Sequence, residues 1–200
     1  MKTRVIRSAI FGCAAVLASF TLSGLVTGQN AGTDLVPTVS FLPERLTSNG
    51  AIVYRSATML VRTRNNVAAT IHTSGLIPGN VYTAWFAIFN DPRYCATTPC
   101  TAADLSNPAV QGSLISFGGQ IAGLDGAADF AEVRAVGDTT NAQIAGPGLL
   151  DPRRAHIHLA VRNHGPASAD PATLQQQLTM FNGGCPPGGC VTIQAAAHMP

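Results

Sequence analysis

Lysine is almost missing from this chain: Lys2 is the only one, and every other cation is an arginine. Charge is scarce altogether, with Asp, Glu, Lys and Arg making up 11% of residues. Binding to nucleic acid or to an anionic membrane surface needs a clustered positive field, and beyond the first seven residues none is present, so neither is implied as a partner. Several catalytic signatures are also missing. There is no G-x-S-x-G elbow, no H-E-x-x-H helix, no phosphate-cradling glycine loop and no dinucleotide fingerprint. The acids from which a glycosidase pair would be drawn, such as Asp91, Asp129, Glu132 and Asp151, are few, and nothing local singles out two of them. Catalytic residues are therefore not assigned.

What charge there is divides unevenly. Lys2, Arg4 and Arg7 precede an uncharged, apolar stretch of roughly Ala9 to Val26, which is the pattern of a signal peptide. Val26-Thr27-Gly28 offers small or modest side chains for cleavage before Gln29, so residues 1–28 are read as a leader. Retained, the same stretch approaches the ~20 residues that span a bilayer. Membrane contact is expected only in that case. Of twelve cations three lie in the leader, which leaves nine arginines against ten acids in the exported part, a net charge of −1. The expected location is secreted or periplasmic. About 170 mature residues suit one domain, large enough to bury roughly two thirds of the surface of its unfolded chain.

Cysteine usage supports export independently. Setting aside Cys13 in the leader, Cys95 and Cys100 form one pair and Cys185 and Cys190 another, each with four residues between. An even count behind a leader reads as disulfides, and local pairing is favoured because Pro99 and Pro186-Pro187-Gly188-Gly189 help turn the chain back. On loop entropy each small ring contributes about 2 kcal/mol, so these bridges shape loops more than they hold the fold. A four-cysteine zinc site is the competing reading, with the oxidising compartment and the spacing against it.

Residues 29–56 carry few signals and are expected to be a loosely structured lead-in to one β-sandwich domain over residues 57–200. Strands are expected at Ala57–Thr63 and Val67–His72, joined by a hairpin turn at Asn65-Asn66. Val81–Phe89 is apolar on both faces, which marks a central strand, with Trp85 in the core. Residues 90–112 lack a period and read as a long excursion. Ser113–Ala122 and Ala127–Val136 read as a second hairpin, and Gly137–Pro152 as another loop. Asp170-Pro171 reads as a helix cap and first turn, with Leu174, Leu178 and Phe181 as its apolar stripe and Gly183-Gly184 as its end. In the last strand Val191, Ile193, Ala195 and Ala197 are expected to face inward. The fold class is mainly β: an antiparallel β-sandwich with one short helix and two disulfide-closed loops.

The histidines carry what chemistry the pattern offers. In Ala155–Arg162 the alternation puts Ile157, Leu159 and Val161 on the core face, so His156, His158 and Arg162 share the opposite one. Two imidazoles that close can grip one copper or zinc ion. His164, six residues beyond His158, and His198, on the expected polar face of the last strand, are the other candidate ligands, and His72 also sits on a polar face. All five histidines are thus expected off the core.

Several strings then resemble a group of secreted bacterial β-sandwich proteins without a known activity: Gly75-Leu76-x-Pro78-Gly79-x-x-Tyr82-Thr83-x-Trp85, Asn107-Pro108-Ala109-Val110-Gln111-Gly112-Ser113, Gly146-Pro147-Gly148-Leu149-Leu150-Asp151-Pro152, Ile157-His158-Leu159-x-Val161-Arg162-x-His164-Gly165-Pro166 and Phe181-x-Gly183-Gly184-Cys185. The resemblance spans most of residues 70–198 and implies secretion and a single domain. It implies no site residues. The turn-then-strand phrase also resembles copper/zinc superoxide dismutase-like sandwiches, although Thr83 and Trp85 stand where a histidine pair is expected. Two functions are expected from these readings. The first is a non-catalytic exported protein binding an extracellular or periplasmic ligand or protein through residues 90–112 and 137–152. The second is a mononuclear copper or zinc protein, of oxidoreductase type, using His158 with His164 or His198, and His156 as an auxiliary ligand.

Overall fold

The structure is a computed structural model that describes residues 38–43, 46–48 and 50–200. The expected leader lies outside the described residues. Along the chain run the strands β1 (Thr38–Pro43), β2 (Thr47–Ser48), β3 (Ala51–Ile52), β4 (Ala57–Arg62), β5 (Asn66–Thr73), β6 (Asn80–Phe89), β7 (Gly112–Ile121), β8 (Ala128–Ala135), β9 (Ala142–Ile144), β10 (His156–Pro166) and β11 (Val191–His198). One helix, α1 (Pro171–Thr179), lies between β10 and β11. Two antiparallel sheets result. One has the order β1-β4-β5-β8 and the other β3-β2-β11-β10-β6-β7-β9.

The expected antiparallel sandwich is present, and so is the reason for it. In β4 and β5 every second residue is buried, with Leu60, Val67, Ala69 and Ile71 facing the gap between sheets. Phe86, Ile88, Ile115, Phe117, Ile157, Leu159 and Val161 meet them from the other side. Burying a side chain of this size is favourable by about 1.5–3 kcal/mol, which makes the period-2 pattern the main organiser of both sheets. β6 is buried along nearly its whole length because a second apolar layer covers its other face. There Trp85, Phe89 and Leu114 pack with Cys100, Leu105 and Val110 from the 90–111 segment. Trp85 is a core residue, fully buried, with Phe181 edge-on at 5.1 Å between ring centroids.

Helix α1 begins where its sequence says it should. The Asp170 carboxylate accepts from the Thr173 amide, and Pro171 occupies the first turn. It lies on β7 so closely that a Cβ on Gly119 would fall 2.2 Å from the Leu178 carbonyl oxygen. Leu174, Leu178 and Phe181 are half-buried, while the fully enclosed residue of the helix is Gln177. Its amide nitrogen donates to the carbonyls of His164, Pro166 and Gly184, and its oxygen accepts from Ser168.

Three expectations are corrected. Within residues 29–56, expected to be loosely structured, the described residues form strands: β1 pairs with β4 from Thr38–Arg62 to Pro43–Ala57, and β2 and β3 edge the larger sheet. Short edge strands ending in proline leave little period to read. The second hairpin is not a hairpin. β7 pairs with β6 and β9 while β8 pairs with β5, so the turn near Gly123–Gly126 carries the chain from one sheet to the other. The last strand has the opposite phase. Gln194, Ala196 and His198 are buried and Ala195 and Ala197 are half-buried, because polar inward residues found partners: Thr73 for Gln194 and Thr58 for His198.

Candidate functional site

The histidines occupy several places. His72 is exposed on the outer face of the four-stranded sheet, where its Nδ1 lies 2.6 Å from the Asp129 carboxylate on the neighbouring strand. His156 and His158 share the outer face of β10, as their spacing requires, with His156 opposite Phe89 and His158 opposite Ala87 and Ala197. His156 Nδ1 is 3.6 Å from Cys100 Sγ. The His158 ring stacks at a tilt on Phe89 with centroids 4.9 Å apart, and its buried Nε2 has no hydrogen-bond partner among the described residues. Burial, reinforced by His156, pushes the His158 pKa down to about 4. Arg162, on the same face, tethers the segment after α1: it donates to the Phe181 carbonyl, the Asn182 side chain and Thr192, and lies 3.9 Å over the Phe181 ring.

His198 is on the core face, contrary to expectation. Its Nε2 is 3.0 Å from Thr58 Oγ1 across the sandwich, and its carbonyl accepts from the buried Arg62. Arg62 also donates to the carbonyls of Ala155 and Pro152, so it pins the start of β10 to the end of β11. Desolvation, then the Arg62 charge, then His158 lower the His198 pKa to about 4.

His164 is fully buried at the far end of β10, also contrary to expectation. Its Nδ1 is 2.9 Å from the Gly183 carbonyl, which can only accept, so Nδ1 carries the proton. Nε2, 2.8 Å from Thr83 Oγ1, then accepts from that hydroxyl, which itself receives Trp85 Nε1–H at 2.7 Å. Against this imidazole sits the second cysteine ring, with Cys190 Sγ 3.1 Å from Nδ1. Both cysteine pairs are closed locally, Cys95 to Cys100 and Cys185 to Cys190, consistent with an oxidising compartment.

Among the described residues, the His, Cys, Asp and Glu ligand atoms that come within 4.8 Å of one another in a group of three are those of His164, Cys185 and Cys190. With the Cys185–Cys190 bond opened to thiolates, that donor set could hold a metal ion. Of the four histidines expected as ligands, only His164 belongs to it. The group is hidden in the sequence because the cysteines read as a bridge and His164 as a separate metal ligand. The available signal was Phe181-x-Gly183-Gly184-Cys185, whose glycines let the chain fold back onto His164: a Cβ on Gly184, which has φ +59°, would fall 2.4 Å from Gln177 Cγ.

A second feature joins the two long loops. The Asn90 side chain donates to the Gln111 and Gly148 carbonyls and accepts from the Leu150 amide, so one residue at the end of β6 fastens residues 90–111 to residues 145–154. Between them lies a cavity of about 260 Å³ lined by Asn90, Asp91, Arg93, Gln111, Asp151 and Arg154. Asp91 and Arg93 form a two-pronged pair at 2.8 and 2.7 Å, and the hydrogen bonds from Arg93 hold the Asp91 carboxyl below the usual range. Tyr94 and Leu150, in the same two segments, are 54% and 45% exposed. Among the described residues no helix is long and apolar enough to cross a membrane. Comparisons with protein-family models, curated proteins and solved structures found no match.

Proposed function

We propose that this chain is an exported, non-catalytic β-sandwich protein that binds an extracellular or periplasmic ligand through the joined loops 90–111 and 145–154. The observation that carries the reading is Asn90, which spends its whole side chain on making two loops into one surface. Loops held on a rigid strand end are where proteins place recognition, because they vary without disturbing the core. The cavity there offers both signs of charge, two carboxylates and two guanidiniums, beside exposed apolar side chains. A zwitterion matches that lining: an amino acid, or the terminus of a peptide with a neighbouring side chain. Asp91 and Arg93 already satisfy each other, so Arg154 is the group offered to a carboxylate, and Asp151, whose Oδ1 accepts from the Arg153 amide, offers its other oxygen to an ammonium.

Calorimetric titration with a panel of free amino acids and dipeptides tests this reading. Binding of at least one of them, weakened tenfold or more in Arg154→Ala, is the expected result. No binding across the panel at millimolar concentration, or binding that Arg154→Ala leaves unchanged, overturns it.

A further inference from the structure

The second cysteine ring and His164 lie toward the end of β10 remote from the binding loops, and they carry an inference independent of that reading. We infer that His164, Cys185 and Cys190 form a redox-gated metal site: closed as a disulfide, and on reduction a two-sulfur, one-nitrogen site for Zn²⁺ or another thiophilic ion.

Three observations support it. First, the donors already surround a common point. Cys190 Sγ is 3.1 Å from His164 Nδ1, and the Gly183 carbonyl oxygen is 2.9 Å from Nδ1, 4.0 Å from Cys185 Sγ and 3.9 Å from Cys190 Sγ. With Zn–S near 2.3 Å and Zn–N near 2.0 Å, tetrahedral ligand atoms stand roughly 3.3–3.8 Å apart. Only the two sulfurs, now bonded to each other, must separate appreciably. The Gly183 oxygen supplies a fourth position.

Second, the imidazole can change tautomer without losing its outer hydrogen bond. Thr83 Oγ1 accepts from Trp85 Nε1–H and has a further lone pair and one rotatable proton. It donates to Nε2 now, and by turning its hydroxyl it can accept from Nε2–H instead. That second arrangement, with Nε2–H held by an oxygen and Nδ1 left bare, is the one in which a histidine binds metal with its orientation fixed. A bare Nδ1 facing the Gly183 oxygen and a thiolate is electrostatically unfavourable unless a cation lies among them.

Third, the charges balance. A divalent ion with two thiolates and a neutral imidazole is neutral overall, which suits a place where His164 is fully buried and Cys190 nearly so. The gating step consumes two electrons and two protons. An external dithiol gives up both, becoming a disulfide, while the Cys185–Cys190 bond breaks to two thiols. Metal binding then releases the two thiol protons to solvent and forms the metal–sulfur and metal–nitrogen bonds.

The test is a Co²⁺ titration of the full chain, oxidised and after reduction, followed by thiolate-to-cobalt charge-transfer absorption and displacement by Zn²⁺. Circular dichroism in parallel reports folding. The expected result is one equivalent bound by the folded, reduced protein at least 100-fold more tightly than by the oxidised one. Cys185→Ser/Cys190→Ser is expected to abolish the band. Thr83→Val, which touches no metal, is expected to weaken binding 10- to 100-fold. Because His164→Ala threatens the fold, His164→Asn serves as its partner, and either is expected to shift the cobalt spectrum. The inference is overturned by absence of the band, by equal binding in oxidised protein, by a band that survives Cys185→Ser/Cys190→Ser and so belongs to the other cysteine pair, or by unfolding on reduction.

Discussion

The two cysteine rings have the same spacing and different surroundings. Each follows a Phe-Asn pair, Phe89-Asn90 and Phe181-Asn182. The first ring is organised by an acid: the Asp104 carboxylate accepts from the amides of Ala96 and Thr101 and from the Thr101 hydroxyl, and those bonds keep its pKa low. Its inner cysteine, Cys100, packs with Trp85 and Leu105 as one more apolar side chain. Among the described residues, the second ring has no such acid. Its inner cysteine, Cys190, meets a buried imidazole whose other nitrogen is held by a hydroxyl. Equal spacing gives equal loop entropy, so what separates the rings is their lining: the first is tied into an apolar layer with the half-buried His156 at its edge, 3.6 Å from Cys100 Sγ, and the second is set against a fully buried imidazole at 3.1 Å.

The largest effect is expected from His164→Ala, which strands the Thr83 hydroxyl, the Gly183 carbonyl and a buried hole, at a cost of roughly 3 kcal/mol or more. His156→Ala beside the first ring is expected to cost under about 1 kcal/mol. Urea unfolding of the two variants measures the contrast, and equal losses would remove it. A comparable effect, away from both rings, comes from pH. The unfolded chain protonates His198 near its ordinary 6.5, the folded chain only near 4. Stability is therefore full above about pH 6.5 and falls as pH drops toward 4, by on the order of 3 kcal/mol for this residue. Urea midpoints at pH 7 and pH 4.5 check the sign, and His198→Asn should reduce the slope, leaving the share of His158, whose pKa is also lowered to about 4.

Next comes removal of each ring. Cys95→Ser/Cys100→Ser and Cys185→Ser/Cys190→Ser are each expected to cost about 2 kcal/mol, by thermal melting, because their loops have equal length. A large difference would show that lining, not entropy, sets their contribution. The smallest effect is expected from Asp104→Asn, which weakens the charge-assisted bonds to two amides. Faster protease cleavage between Ala96 and Thr101, with the melting temperature little changed, is the expected outcome.

Much of this architecture was legible in the sequence, for physical reasons. β6 reads as a central strand because both of its faces are apolar, and Asp170-Pro171 reads as a helix start because the residue types match the orphan amides they serve. Cysteine spacing gave the pairing. What stayed hidden depends on contacts distant in sequence. The phase of β11 turns on Thr58 and Thr73, more than a hundred residues away, which make buried Gln194 and His198 acceptable. The sheet change between β7 and β8 follows from β5 and β6 competing for them as partners. Asn90 reads as an ordinary loop residue until Gln111 and Gly148 arrive at its amide. His164 reads as a candidate ligand off the core, and its burial depends on a ring that closes more than twenty residues later.

The difference between the rings is tested most directly by alkylation mapping. The folded protein is reduced, treated with iodoacetamide with and without Zn²⁺, and the labelled cysteines are identified by peptide mass spectrometry. Protection of Cys185 and Cys190 by zinc, with Cys95 and Cys100 labelled equally in both conditions, is the predicted result. Equal labelling of all four cysteines whether or not zinc is present would contradict the account.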